Sequence, residues 1–209
     1  MKKFELTSET KINIFGKKLF RIKALISFGD VNAGENGGWV EKEENIDKRG
    51  NAWVYGNAEV SGNAEVSGNA RVSGDARVSG DARVSGNAWV YGNAEVYGNA
   101  EVSGNARVYG NAEVSGNARV YGNAEVSGNA RVSGNADYAI VGGFGTRFRT
   151  TTFFKCKDGE VKVSCGCFFG TINEFRKQVK DTRKGKIAKE YLMIADLMEE
   201  HFECQEKNE

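Results

Sequence analysis

Gly50-Asn51-Ala52-Trp53-Val54-Tyr55-Gly56-Asn57-Ala58-Glu59-Val60-Ser61 opens a run that repeats every six residues, without a gap, through Val132-Ser133. Fourteen successive blocks read Gly-(Asn/Asp)-Ala-x-Val-(Ser/Tyr), and a fifteenth, Gly134-Asn135-Ala136-Asp137-Tyr138-Ala139, starts in phase and drifts. A fixed short period marks a solenoid, in which each unit buries its apolar side only by stacking on its neighbours. Within a block only Ala and Val are always apolar, two residues apart, which puts both on one side of an extended segment. The residue between them is Trp, Glu, Arg or Asp and is expected to point outward. Gly followed by Asn or Asp supplies a bend that tolerates positive φ.

The block Val54-Tyr55-Gly56-Asn57-Ala58-Glu59 resembles the units of the left-handed parallel β-helix, or hexapeptide-repeat, superfamily. That resemblance implies three hexapeptides per coil, an 18-residue turn, a triangular prism and, commonly, trimers formed through the flat sides. Residues 50–141 are then expected to form an all-β solenoid of about five coils. Residues i and i+18 should lie one coil apart, near the strand spacing of about 4.8 Å. One flank would stack Glu65, Arg83, Glu101, Arg119 and Asp137 with alternating charge, and a second Glu59, Arg77, Glu95, Glu113 and Arg131. A third would stack Trp53, Arg71, Trp89, Arg107 and Glu125, with Tyr55, Tyr91 and Tyr109 beside them. Trp, Tyr and Arg are enriched at interface hot spots. Three readings of this flank stand: aromatics suited to exposed strands, a homo-oligomer (trimer or dimer) or partner interface, and a ligand groove.

Composition bounds the setting. The 209 residues carry 29 Lys+Arg against 28 Asp+Glu, a net charge of +1, which gives no global pull toward nucleic acid or membrane. No apolar run approaches the ~20 residues of a membrane span, and Met1-Lys2-Lys3-Phe4-Glu5-Leu6 lacks the apolar core of a signal peptide. Four Cys without an export signal suggest reduced thiols and a cytoplasmic location.

Residues 1–49 fall outside the repeat and are expected to be an N-terminal β-hairpin cap, since a bare solenoid end exposes core and strand edges. A hairpin around Gly16-Lys17 is predicted, with Ile12 and Ile14 facing Leu19, Ile22, Ala24 and Ile26. Asp30 to Val40, reading Asp-Val-Asn-Ala-Gly-Glu-Asn-Gly-Gly-Trp-Val, resembles the N-terminus of a family of bacterial and phage hexapeptide proteins. This resemblance implies a phage or prophage setting, hence a host-cell cytoplasm, and no particular reaction.

Residues 142–209 are expected to be a small C-terminal α+β (ββαα) unit. A hairpin around Asp158-Gly159 is predicted, in a register pairing Cys156 with Val161, Phe154 with Val163 and Thr152 with Cys165. Thr171-Ile172-Asn173-Glu174 is a capping box opening one helix. A second helix after Gly185 lines up Ile187, Tyr191, Ile194, Ala195, Met198 and Phe202.

The chemistry is largely a set of failed tests. Hexapeptide acyltransferases use a His base and the carbonic anhydrases of that fold use three His on zinc, yet the coils contain no His; His201 lies near the end of the last helix. No catalytic residue, metal site or cofactor is expected. Cys165-Gly166-Cys167 lacks strong metal-ligand spacing, and the hairpin register favours core thiols over metal or redox chemistry. Residues 142–190 hold 12 Lys+Arg against 5 Asp+Glu, 12 − 5 = +7. For this basic segment there are again three readings: solvated charge answering the acidic last helix, a phosphate-bearing small ligand, or nucleic acid, the last least favoured. Arg147, Arg149, Thr150, Thr151, Thr152 and Thr171 are the candidate anion ligands, the last at a helix N-terminus. A non-enzymatic scaffold that self-associates through the aromatic flank is the leading expectation.

Overall fold

The computed structural model describes residues 2–206, with side chains through residue 203. Fourteen two-residue strands, β4 (Trp53–Val54) through β17 (Arg131–Val132), each hold the x-Val pair of one block. They stack in parallel at a spacing of three blocks, so Trp53, Arg71, Trp89, Arg107 and Glu125 succeed one another along one flank. The other two flanks likewise pair Glu65, Arg83, Glu101 and Arg119, and Glu59, Arg77, Glu95, Glu113 and Arg131. The repeat has folded into a parallel β-solenoid with the expected 18-residue coil. Every Ala and Val of the blocks from Ala52 to Val132 is 0–1% exposed and forms one axial core. Asp137 leaves its ladder, because Asn135–Asp137 forms a 3-10 turn in which its carboxylate accepts from the Ser133 and Gly134 amides.

The bends depend on glycine for two reasons, well seen at Gly86. Its φ is +68°, and a Cβ there would lie 2.9 Å from the Gly104 amide nitrogen of the next coil. Beside the bends, side-chain amides form a ladder of their own: Asn51 donates to Asn69, Asn69 to Asn87, Asn87 to Asn105 and Asn105 to Asn123, at 3.0–3.1 Å. At the other two corners the chain of amides reaches Asp75 and Asp81, which accept from Asn57 and Asn63 and have no proton to pass on. The pattern resumes with Asn93 to Asn111 and Asn99 to Asn117.

The N-terminal hairpin pairs β1 (Phe4–Ile12) with β2 (Lys18–Ala24), and β2 with β3 (Asn36–Val40), all antiparallel. β3 then runs parallel to β5 (Glu59–Val60), so this cap extends one flank of the coil. Phe4, Ile22, Ala24 and Val31 join the axial core. Ile12 and Ile14, expected to face Leu19, Ile22, Ala24 and Ile26, are instead 65% and 71% exposed, with Ile12 opposite Lys18. The core contact is made at the other end of β1, by Phe4 opposite Ala24, while the turn end of the hairpin reaches past the coil.

The C-terminal unit is a four-stranded antiparallel meander, β18 (Tyr138–Phe144), β19 (Arg149–Lys155), β20 (Val161–Cys165) and β21 (Phe168–Thr171), followed by α1 (Ile172–Thr182) and α2 (Gly185–Glu206). The sheet therefore adds a strand on each side of the expected hairpin. Its register is also one residue off the expected one: Phe153 faces Val163, Thr152 faces Ser164 and Thr151 faces Cys165. The cause is the turn. Cys156 accepts from the Gly159 amide and donates to the Glu160 carbonyl, and Gly159 sits at φ +83°, a three-residue loop ending in a left-handed glycine. A slip of one residue exchanges the two faces of a strand. Phe154, beside Cys156 and Tyr138, thus packs into the end of the solenoid core, while Phe153 packs under the helices with Phe175, Tyr191, Ala195 and Phe202. Helix α1 opens as expected, with Thr171 and Glu174 capping each other's backbone.

Candidate functional site

The seven residues of the aromatic flank do not form one surface. Trp53 is fully buried, with its ring edge-on to Phe4 at 5.9 Å and to Phe28 at 5.4 Å, so it belongs to the seam between the cap and the first coil. Tyr55 is half-buried against the same core, and Arg71 pairs with Asp30 of the cap. The exposed remainder is compact. Trp89 is 38% exposed and its indole donates to Ser73 Oγ at 3.0 Å. Its ring lies 4.6 Å from Tyr91, which stacks on Tyr109 at 4.9 Å with planes 5° apart. Arg107 sits in the same tier and reaches Glu125 at 3.6 Å. The sequence placed these side chains on one flank; which of them stay open is decided by where the cap lies, and the repeat carries no trace of that.

Both ends of the solenoid are closed by matching polar groups, which residue counting did not find. At the first coil the carbonyls of Ala52 and Ala64 accept from Lys3 Nζ at 2.8 Å and Asn45 Nδ2 at 2.8 Å, and Trp39 N–H reaches Ala58 O at 2.9 Å. Lys3 is almost wholly buried, and that desolvation lowers its pKa to about 8 although Asp47 opposes the shift. At the last coil Arg119 N–H donates to Asn135 Oδ1 at 2.9 Å, Glu125 N–H to Thr152 Oγ1 at 3.0 Å, and the Tyr138 hydroxyl to Arg119 O. Edge strands left bare would template further pairing; here these groups are occupied by the caps. The caps also mend the flank charges. Lys11 meets Glu59 at 2.9 Å, and Lys157 meets Glu113, which stands between the like charge of Glu95 and Arg131.

The candidate anion ligands separate in the same way. Thr151 Oγ1 lies 3.1 Å from Cys165 Sγ within the sheet, and Thr152 is spent on Glu125. Thr171 caps α1, and the Glu174 carboxylate already occupies the helix N-terminus that a phosphate would need. Thr150 lines a shallow depression beside Glu125 and Arg149. Arg147 and Arg149 do come together, on the wall of a cavity of about 580 Å³ that also takes in Arg183 from the end of α1. Two other cations of the segment are internal ties: Arg176 holds Asp196 at 2.8 Å and Glu199 at 2.6 Å, and Lys157 holds Glu113. Cys156 is buried, Cys165 half-buried and Cys167 exposed, all as free thiols. Among the described residues no group of three or more His, Cys, Asp or Glu side chains converges as for a metal ion. No helix there is long and apolar enough to cross a membrane.

Residues 52–142 match the family model of the bactofilins, described as polymer-forming and cytoskeletal. The matched segment is the solenoid with the first residues of β18, and the N-terminal cap and the rest of the C-terminal unit lie outside it. No curated protein matches the chain.

Proposed function

We propose that this chain is a non-enzymatic scaffold whose β-solenoid associates with further copies of itself and displays the C-terminal α+β unit. The stack of Trp89, Tyr91 and Tyr109, with Trp89 exposed and both tyrosines half-buried, midway along one flank between two capped ends, carries the reading. Stacked aromatics beside an arginine are the side chains that dominate interface energetics, and polymer formation by the family that resembles the solenoid supports it. Because both coil ends are occupied by their own caps, association is side by side, as a dimer or trimer, rather than end on. The absence of His from the repeat argues against the acyl-transfer chemistry of similar coils. The likeness of Asp30–Val40 to phage hexapeptide proteins supports a phage or prophage origin, with the host cytoplasm as its setting.

Native mass spectrometry tests this. The wild type is expected at two or three times its 22.8 kDa chain mass, and Trp89→Asp at the monomer mass with an unchanged circular dichroism spectrum. Ser85→Asp, on another flank, serves as the control and should keep the wild-type mass. A monomeric wild type, or a Trp89→Asp variant of unchanged assembly, would overturn the proposal.

A further inference from the structure

The cavity of about 580 Å³ in the C-terminal unit lies between the β18–β19 turn and the end of α1. Its inner wall is aromatic. Phe168 and Phe175 rings lie 5.4 Å apart, and Tyr191 meets Phe175 edge-on at 5.8 Å. Phe175 and Tyr191 are 3% and 8% exposed. Its rim is cationic, with Arg147 and Arg149 on one side and Arg183 on the other, and no Asp or Glu lines it. None of the three guanidinium groups has a carboxylate partner among the described residues, although Arg176 on the same helix has two.

The local backbone is shaped to this arrangement. Phe148, between the first two arginines, adopts φ 47° with its ring 73% exposed, a conformation rare for a bulky residue. Outliers of this kind gather at ligand sites. The Arg149 guanidinium also lies against Gly166, where a Cβ would fall 2.0 Å from Nη1, so that Arg149 stands between this cavity and the shallow depression beside Glu125. The volume falls within the roughly 300–1,000 Å³ of small-molecule sites, which join an apolar wall to a few placed polar groups. Three arginines lining one cavity with no carboxylate among its walls suit a phosphate, which offers several charged oxygens to such forks.

We propose that this cavity binds a phosphorylated planar aromatic compound of mononucleotide size, its phosphate held by Arg147, Arg149 and Arg183 and its ring against the Phe168–Phe175–Tyr191 wall. The site is independent of the flank and of self-association.

Isothermal titration of the full chain tests it with AMP, GMP, CMP and UMP, with the matching nucleosides, with inorganic phosphate and with a dT oligonucleotide. At least one mononucleotide is expected to bind, with its nucleoside and inorganic phosphate at least about tenfold weaker. Arg149→Ala and Arg183→Ala should each weaken that binding about tenfold or more, and Arg149→Lys, which keeps the charge and loses the fork, should weaken it as well. Lys177→Ala, on α1 away from the cavity, should leave it unchanged. The proposal fails if no mononucleotide binds or if affinity survives Arg149→Ala and Arg183→Ala. It fails too if the oligonucleotide binds more tightly than every mononucleotide, which would assign the arginines to nucleic acid.

Discussion

At the scale of single residues, identical letters in identical repeat positions have different fates. Trp53 and Trp89 both sit between Ala and Val of their blocks, yet one is wholly buried under Phe4 and Phe28 and the other is 38% exposed. The periodicity told which side of the strand each occupies. It could not tell what covers that side, because Phe4 and Phe28 arrive from a segment with no repeat. The amide ladder was within reach of the same i+18 reasoning and is directional, since an Asn passes a hydrogen bond on and an Asp only receives one. Asp75 therefore ends its run below Asn93, and Asp81 ends its run below Asn99. Asp75→Asn is expected to join the two halves of its corner and to stabilise the fold by about 0.5 kcal/mol, in the range of exposed cross-strand pairs. Thermal unfolding near neutral pH checks this as a higher midpoint; a lower one would show that the carboxylate serves some other contact.

Elements show where local signals were sufficient. The capping box at Thr171 and the apolar stripe of α2 were legible because a helix end and a helix face are written in a few neighbouring residues. The hairpin was legible as a hairpin but not in register, since Asp158-Gly159 fits a two-residue and a three-residue loop alike, and Gly159 takes the second. Cys156 and Tyr138 share with Phe154 the face that packs on the solenoid end. Burial there pushes the Cys156 thiol up to about 11 from its ordinary 9, with Asp158 adding to the shift, and the Tyr138 hydroxyl up to about 12. An acid raised in the folded state binds its proton more tightly there than in the unfolded chain. Its contribution is whole below pH 9 and is lost as pH rises through about 11. The C-terminal seal is thus expected to weaken over that interval, on the order of 1 kcal/mol from the thiol. Denaturant unfolding between pH 8.5 and 10.5 checks it, with a visibly flatter decline for Cys156→Ala than for the wild type. Parallel declines would mean that the thiol titrates at its ordinary value.

For the whole molecule, the coil number and the coil length were readable because each block repeats the same constraint, whereas the fit of the caps was not. Which flank Lys157 or Lys11 meets depends on the path of segments whose own sequence is irregular. The cavity lay further still from view: Arg147 and Arg149 were visible as neighbours, but Arg183 joins them only through the packing of α1 on the sheet. If the coil is the unit of construction, then removing Gly92–Tyr109, one full turn, should leave both caps seated on the flanks they now meet. Circular dichroism and cooperative melting are expected to survive that deletion, with a midpoint within a few degrees of wild type. Removing residues 92–98 puts every later Ala and Val on the outer side and should give aggregated protein. Cooperative melting of this second variant would contradict the shared-core account.

Eighteen-residue stacking also bears on heredity. Nearly interchangeable blocks invite mispaired recombination and replication slippage, and an exchange that is out by three blocks yields a longer or shorter solenoid with both caps still seated. Flank length is therefore a trait that selection can adjust in whole coils, while the irregular end segments, which have no second copy to pair with, stay fixed.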